Sequence, residues 1–329
     1  MSRVTRKRKP PAAEPVTLRL GTRGSLLAKT QSQLVADELE KRHRGLVVEV
    51  VVVKTSGDAI TDRPLYEHGG KGLFTKEIEQ ALLAGQIDFA VHSCKDVPVT
   101  MPLVDQSGLS IVATPAREDP SDVLVFPTAQ ESSEGGLSRL PQGARVGTGS
   151  LRRRAQLLER RPDLRIQHIR GNIDTRLKKL ANDEFDAIIL AYAGLHRAGL
   201  FDAARMIVLG DDEMLPAPGQ GALAIQCRKD DRRTIEFLRE LNDAETSASV
   251  AAERALIEML AGDCHSPIAA RARVKLERLT LHAAVGARDG SPPVVRASGE
   301  GPLDAPQEAA KAVHDTLERQ GVRKLLAGG

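Results

Sequence analysis

The stretch Leu46-Val47-Val48-Glu49-Val50-Val51-Val52-Val53 decides the fold class of this chain. Six of its eight residues are valine, and β-branched side chains favour an extended backbone. A nearly continuous apolar run of this length is typical of a strand that helices cover on both faces, as in parallel sheets. We therefore predict an α/β protein in which this strand is buried on both faces.

Strand-like and helix-like segments alternate on both sides of this stretch, as in open α/β sheets. The first series has predicted strands at 18–20 and 87–91 and predicted helices at 25–42 and 76–84. A second series begins near Pro115, with predicted elements at 123–126, 145–147, 151–161, 165–169, 175–181 and 187–191. The sequence Pro-Ala-Pro-Gly-Gln-Gly at 216–221 interrupts this pattern before a further strand at 222–227.

Two α/β series joined through a Pro/Gly-rich crossover predict two lobes with a cleft between them. From about Asn242 the composition changes to an Ala-rich helix, then strands near 268–275 and 279–287, then a helix at 304–320, which together predict a small α+β domain. The expected division is a disordered basic tail (1–15), lobe 1 (16–114 and 220–241), lobe 2 (115–219) and a C-terminal domain (242–329).

Composition limits the class of protein. With 329 residues, 41% hydrophobic and 28% charged, the chain is typical of soluble proteins with two or three domains. The basic tail lacks the apolar stretch of a secretory signal, and no apolar run reaches membrane-spanning length. Three widely spaced cysteines favour a reducing cytoplasm over a disulfide framework, and no histidine spacing indicates a metal site.

Basic side chains gather where ligands bind in such folds, beyond the carboxyl ends of strands. Four predicted strand ends lead into Arg23, Lys95, Arg152–Arg153 and Arg170, and Arg176 lies one turn into the next helix. Only Asp96 adds a lone carboxylate. Because Gly and Ser residues at helix starts also expose N–H groups, this edge predicts a site for a large polyanionic ligand.

Each of these residues also has a simpler interpretation. Arg152–Arg154 could be a solvated helix start, and Asp96 could serve only the turn before Val97-Pro98. Gly69-Gly70-Lys71-Gly72 lacks the spacing of a Walker A loop. Cys264 lies on a short Gly/Pro-bounded loop, which suits a reactive or modified thiol, whereas Cys94 and Cys227 are expected to be small buried residues.

Taken together, eight segments between about 18 and 326 resemble the porphobilinogen deaminase (hydroxymethylbilane synthase) family. They are Leu-Arg-Leu-Gly-Thr-Arg-Gly-Ser at 18–25, Gly-Gly-Lys-Gly-Leu-Phe at 69–74, Val-His-Ser-Cys-Lys-Asp-Val-Pro at 91–98, Arg-Glu-Asp-Pro at 117–120, Gly-Thr-Gly-Ser-Leu-Arg-Arg at 147–153, Arg-Gly-Asn-Ile-Asp-Thr-Arg at 170–176, Leu-Pro-Ala-Pro-Gly-Gln-Gly at 215–221, and the loop around Cys264. Single segments are weak evidence, but eight in this order are specific.

The resemblance implies two lobes like those of periplasmic binding proteins and a dipyrromethane cofactor, made from two porphobilinogens and bound to Cys264 through a thioether. Four further porphobilinogens are then joined head to tail, with loss of ammonia, and 1-hydroxymethylbilane is released by hydrolysis. The implied catalytic residue is Asp96. The other implied roles are cofactor binding by Lys95, Asp96, Ser150, Arg152 and Arg153, substrate binding by Arg23, Ser25, Arg170, Arg176 and Arg197, and a loop over the cleft with Lys71 and Phe74.

The sequence departs from the family pattern at Glu67, Gly149, Asp263 and His265, which affects details of cofactor contacts. A non-enzymatic bilobal binding protein for a polyanionic small molecule is the first alternative, but it does not explain Cys264 or the third domain. A nucleic-acid-binding protein is the second. A net charge of +3 and an aromatic content of 2% disfavour it. A monomeric cytoplasmic enzyme with no nucleic-acid or membrane partner is the expectation.

Overall fold

The computed structural model describes residues 16–56, 75–98, 108–130, 135–263 and 266–328. The predicted basic tail at 1–15 lies outside these ranges. Within them the chain forms two five-stranded sheets and one three-stranded sheet, each covered by helices. The predicted architecture of two α/β lobes and a small C-terminal α+β domain is therefore confirmed. Among the described helices, none is both long and apolar enough to span a bilayer.

The first sheet has the strand order β2-β1-β3-β10-β4. Its elements are β1 (Val16–Thr22), α1 (Leu26–Arg42), β2 (Leu46–Val52), α2 (Lys76–Leu83), β3 (Phe89–Ser93), β4 (Leu109–Ala113), β10 (Leu223–Arg228) and α6 (Arg232–Arg239). Strand β1 is parallel to β2 and β3, whereas β10 is antiparallel to β3 and β4. Since β10 lies between β3 and β4, the chain returns to this sheet after building the second one.

The prediction that residues 46–53 are buried on both faces is wrong. Strand β2 is the edge of its sheet and pairs only with β1. Val48 and Val50 pack against the core beneath α1, but Val47 and Val52 are 41% and 50% exposed. An apolar run indicates that a strand contributes to a hydrophobic core, but it does not distinguish a central strand from an edge strand with one neighbour.

The second sheet has the order β7-β6-β8-β5-β9. Its elements are β5 (Asp122–Val125), β6 (Arg145–Gly147), α3 (Leu151–Arg160), β7 (Arg165–Gln167), α4 (Ile173–Ala181), β8 (Ala187–Ala191), α5 (Tyr192–Arg197) and β9 (Met206–Val208). Strand β6 is parallel to β7 and β8, so its carboxyl end and that of β7 lie at the same edge. Separate apolar cores fill the two faces, one around Leu157 and one around Leu195.

The C-terminal domain is an antiparallel sheet β11-β12-β13 packed against two helices. Its elements are α7 (Ala244–Met259), β11 (Ile268–Lys275), β12 (Arg278–Val285), β13 (Val295–Pro302), α8 (Pro306–Arg319) and α9 (Val322–Ala327). The sequence did not predict β13, which contains two glycines. A Cβ at Gly299 would lie 2.8 Å from Ala312 Cβ, so these glycines let α8 pack closely on the strand.

A buried ion pair joins the three units. Arg117 follows β4, at the start of the passage into the second lobe, and binds both carboxylate oxygens of Glu253 on α7 at 2.7 and 3.0 Å. Glu253 has no exposed surface and also accepts the backbone N–H groups of Gly219 and Ala272 at 2.6 and 2.8 Å. The carboxylate therefore ties the C-terminal domain to both connections between the lobes.

Candidate active site between the lobes

A cavity of about 730 Å³ lies between the two lobes at the carboxyl ends of β1 and β3. Both lobes contribute to its wall, and eight of the predicted site residues line it: Arg23, Ser25, Lys95, Asp96, Arg153, Arg170, Arg176 and Arg197. The strand-end argument therefore located the wall correctly. Two further predicted residues within the described ranges are absent from the wall: Ser150 caps α3 by accepting the Arg153 N–H, and Arg152 is buried.

The loop that carries Asp96 leaves β3 as a short 3₁₀ turn over Cys94–Asp96. Asp96 is exposed, whereas Lys95 is partly buried and donates a 3.2 Å hydrogen bond from Nζ to Gln220 Oε1. Burial lowers the pKa of Lys95 to about 8, although Asp96 acts in the opposite direction. Glycine is needed at position 219, because a Cβ there would lie 3.0 Å from Cys94 Sγ and φ is +71°.

Asp122 is a functional residue that the sequence analysis missed. At the start of β5 it has no exposed surface and accepts hydrogen bonds from Arg152 Nη1 at 2.6 Å and Arg153 Nη2 at 2.8 Å. Burial alone would raise its pKa, but the two guanidinium groups hold the pKa of this carboxyl well below its usual range. Two adjacent buried arginines require such a counter-charge, but their sequence gives no indication of which carboxylate supplies it.

Gln220 connects this pair to the Asp96 loop. Its side-chain amide is buried, accepts from Lys95, and donates to Asp122 Oδ1 at 2.8 Å and to the Pro120 carbonyl at 2.6 Å. A single amide thus bridges residues of the first lobe and the second. Because it lies on the crossover segment between the lobes, Gln220 fixes the relative position of Lys95 and the Arg152–Arg153 pair.

Arg170, Arg176 and Arg197 bring further positive charge to the second-lobe side of the cavity. Arg176 donates to the Gly171 carbonyl at 2.8 Å, and Arg197 donates to the Gly221 carbonyl at 2.8 Å. Burial, together with neighbouring Arg153 and Arg170, lowers the pKa of Arg176 to about 10. The lowered pKa reports first the removal of this guanidinium from water and then the neighbouring cations, which Asp96 offsets only in part.

One nitrogen in this group lacks a partner among the described residues. Arg170 Nη1 is buried but forms no hydrogen bond there. A buried guanidinium N–H without an acceptor is costly, so an acceptor supplied by a ligand would remove that cost. Seven basic side chains line the cavity against two acidic ones, Asp96 and Asp174. The donor set therefore suits a group with several carboxylates.

His92 lines the cavity, and the sequence analysis gave it no role. Its Nε2 lies 3.0 Å from Gln226 Oε1, and Gln226 Nε2 donates to Glu79 Oε1 at 3.1 Å. Since the Gln226 amide oxygen faces the ring, the proton of the neutral imidazole is on Nε2. Burial lowers the pKa of His92 to about 4, with Arg23 acting in the same direction, so His92 is neutral at physiological pH.

The two cysteines in the described part of the chain are buried, as the sequence analysis expected. Cys94 and Cys227 are free and buried, and burial raises the pKa of Cys94 to about 11, so it is a poor nucleophile. Cys264, Lys71 and Phe74 lie outside the described residues. Helix α7 ends at Met259, five positions before Cys264.

Two family profiles match the sequence in consecutive segments. Residues 18–236 match the profile described as porphobilinogen deaminase, dipyromethane cofactor binding domain. Residues 247–319 match the profile described as porphobilinogen deaminase, C-terminal domain. Together they span most of the chain.

Curated relatives agree with these profiles. The chain is 51% identical over 276 residues to a porphobilinogen deaminase of Trichlorobacter lovleyi, covering 84% of this chain and 85% of the relative. It is 45% identical over 310 residues to that of Syntrophotalea carbinolica, covering 94% and 95%. Among solved structures, the aliphatic sulphonate binding protein SsuA from Escherichia coli aligns at 17% identity over 74% of this chain and 70% of its own, with a TM-score of 0.38. That likeness is too distant to support an inference.

Proposed function

This chain belongs to the porphobilinogen deaminase family, and we propose from this premise that it is a hydroxymethylbilane synthase. Such a transferase condenses four porphobilinogen molecules head to tail, releases one ammonia at each step, and liberates 1-hydroxymethylbilane by hydrolysis. Each porphobilinogen carries an acetate and a propionate. The growing chain therefore accumulates carboxylates, and the cavity must offer an increasing number of cationic partners.

The single observation that carries this proposal is the buried Nη1 of Arg170, which has no hydrogen-bond partner among the described residues, in a cavity to which those residues contribute seven basic side chains. Nearby Arg153 already has Asp122 as its counter-charge, but among the described residues Asp122 forms no ion pair with Arg170 or Arg176. Guanidinium groups bind carboxylates in a bidentate manner. Arg23, Ser25, Arg170, Arg176 and Arg197 thus bind the incoming substrate in this proposal.

The cofactor is the dipyrromethane of the family, attached to Cys264 in this proposal. When bound, it supplies the free pyrrole position to which the first substrate is joined. Lys95, Asp96, Ser150, Arg152 and Arg153 would hold it. Of these, Lys95, Asp96 and Arg153 line the cavity, which supports direct contact. Direct contact by Ser150 and Arg152 stays a prediction, since neither is part of the described wall.

Asp96 is the proposed catalytic residue. It is an exposed carboxylate on a wall dominated by cations, and it can accept hydrogen bonds from pyrrole N–H groups. Positive charge develops on porphobilinogen as ammonia leaves, and a fixed carboxylate stabilises that charge while the surrounding arginines bind the peripheral carboxylates. Asp96 can also carry a proton, since the aminomethyl group of the substrate must be protonated in order to leave as neutral ammonia.

The wider assignments belong to the same proposal. Residues 16–114 with 220–241, 115–219 and 242–329 form the three units, which the membership of β10 in the first sheet supports. The position of Lys71 and Phe74 on a loop over the cleft stays a prediction, because both lie outside the described residues. The enzyme acts as a cytoplasmic monomer, with porphobilinogen as its partner and with no nucleic-acid or membrane partner.

The intact mass of the purified protein, measured beside Cys264→Ser, tests the proposal. We expect the wild-type protein to exceed its sequence mass by two porphobilinogens less two ammonias, and the variant to show no excess. Incubation with porphobilinogen should then yield hydroxymethylbilane only with the wild-type protein. An unmodified wild-type mass that persists after this incubation, with the substrate still bound reversibly, would instead favour the non-enzymatic anion-binding protein.

A further inference from the structure

Helix α7 contacts the Asp96 loop with two residues on the same face. Val250 is buried in a small apolar cluster with Cys94 and Val97, directly beside the turn that presents Asp96. Arg254 lies one helical turn further along. Residues four apart on a helix share a face, so the apolar contact and the charged side chain reach the loop together.

Arg254 holds the backbone that follows Asp96. Its Nη1 donates to the Val97 carbonyl at 2.9 Å, and its Nη2 donates to the Pro98 carbonyl at 2.8 Å. Two parallel N–H donors in a planar group fix both the position and the orientation of two consecutive peptides. Lysine has no such fork, because its ammonium group is a single point of attachment.

The loop is restrained from its other side by the crossover segment between the lobes. The Cys94 N–H donates to the Ala222 carbonyl at 3.0 Å, and Lys95 donates to Gln220. These contacts precede Asp96 in the chain, whereas those of Arg254 follow it. Asp96 itself is exposed. Its placement is therefore set by anchors on either side.

We propose that Arg254 is a positioning residue for Asp96, acting from the C-terminal domain through the carbonyls of Val97 and Pro98. Arg254 is absent from the described wall of the cavity, so it acts through the loop and not on the substrate. The helix of Arg254 ends at Met259, five positions before Cys264 in the sequence. Arg254 thus links the catalytic carboxylate to the domain that carries the attachment cysteine, an inference that rests on the function proposed above.

The test compares Arg254→Ala and Arg254→Lys with Arg323→Ala. Arg323 is a matched control, because it is exposed and donates to a backbone carbonyl of α7, that of Met259 at the C-terminal end of the helix, away from the Asp96 loop. Loss of the two hydrogen bonds from Arg254 to the Val97 and Pro98 carbonyls should reduce kcat by about 10- to 100-fold, as expected for a displaced catalytic group. KM should stay within about twofold of the wild-type value. Arg254→Lys should recover part of the loss, and added guanidinium ion should partly restore Arg254→Ala.

Hydrogen–deuterium exchange supplies a measurement that does not depend on turnover. Peptides that include the Cys94 and Val97 amides should exchange faster in Arg254→Ala than in the wild-type protein or Arg323→Ala, while the intact mass still shows the bound cofactor. Unchanged kcat, unchanged exchange at these amides, or a change in KM alone would each overturn the positioning role. Failure of the proposed function is distinguishable, because it would show as a wild-type protein without cofactor or product.

Discussion

Arg117 and Glu253 form a buried, doubly hydrogen-bonded ion pair at the point where the three units meet. The Glu253 carboxylate also accepts two backbone N–H groups, so both of its oxygens are fully used. Such a pair stabilises the fold little more than apolar residues of similar volume would, but removal of one partner leaves an uncompensated buried charge.

Glu253→Gln should therefore lower the free energy of unfolding by about 3–5 kcal/mol, because Arg117 loses its counter-charge while the shape is preserved. Chemical denaturation followed by circular dichroism measures this change. Arg273→Ala is the control, since Arg273 forms a 2.7 Å but largely exposed ion pair with Asp211 and should cost at most about 1 kcal/mol. Equal decreases in the free energy of unfolding of the two variants would contradict the importance assigned to burial of the ion pair.

Asp122 should make stability depend on acid pH. Its pKa is lowered in the folded protein, so its contribution is complete at neutral pH and is lost as pH falls below the unfolded value of 3.8 toward the folded one. Asp122→Asn mimics the protonated side chain. The difference in unfolding free energy between the wild-type protein and Asp122→Asn should thus be constant from about pH 7 to 5 and decrease below about pH 4. A difference that does not vary with pH would exclude this assignment.

Lys95 should give the apoenzyme a pH-dependent priming step. Its pKa of about 8 means that the ammonium group is charged below this pH and neutral above it. As pH rises through 8, the rate at which the apoenzyme gains cofactor mass from porphobilinogen should fall, because a neutral amine attracts carboxylates weakly. Lys95→Arg stays charged and should lose this transition. If both proteins show the same profile, the titrating group is on the substrate or elsewhere in the site.

Arg170→Gln should raise KM for porphobilinogen by about 10- to 100-fold, because hydrogen bonds to charged groups contribute about 1.5–3 kcal/mol each. The fold should be retained, since Arg170 Nη1 has no partner to lose among the described residues. Steady-state kinetics and thermal unfolding separate the two effects. Arg160→Gln, on the exposed end of α3, should leave both quantities unchanged.

Asp96→Asn should reduce kcat by about 100-fold or more while stability remains close to that of the wild-type protein. Asp96 is exposed and accepts no hydrogen bond from another described residue, so its substitution leaves no buried partner unsatisfied there. Single-turnover kinetics with intact-mass detection measures the rate of each addition. A near-normal rate would remove Asp96 from the catalytic role.

The cationic wall of the site was predictable from local sequence, because strand ends of parallel sheets converge at one edge whatever the details of packing. Asp122 and Gln220 were not predictable, since their partners are about 30 and 125 positions away in the chain. The same limit explains the error at Val47 and Val52. The number of neighbours that a strand has is a property of the whole sheet, and composition does not report it.

Strand β13 is an error in the opposite direction, because the structure contains a strand that the sequence analysis did not predict. Its glycines at 299 and 301 lower the local preference for a strand, yet they are what allows α8 to approach, because a Cβ at either position would collide with that helix. Local propensity and tertiary packing disagree here, and packing prevails. The helix that covers the strand was predicted, but nothing in its sequence specifies the space that its partner must leave.

The position of β10 between β3 and β4 has a consequence for biosynthesis. The first lobe cannot complete its sheet until residues near 228 have left the ribosome, whereas all strands of the second sheet, ending with Val208, are available earlier. During synthesis, β3 and β4 therefore lack their shared neighbour β10 until after the last strand of the second sheet has been made. On this topology the lobe that begins later in the sequence has all its strands before the lobe that begins first.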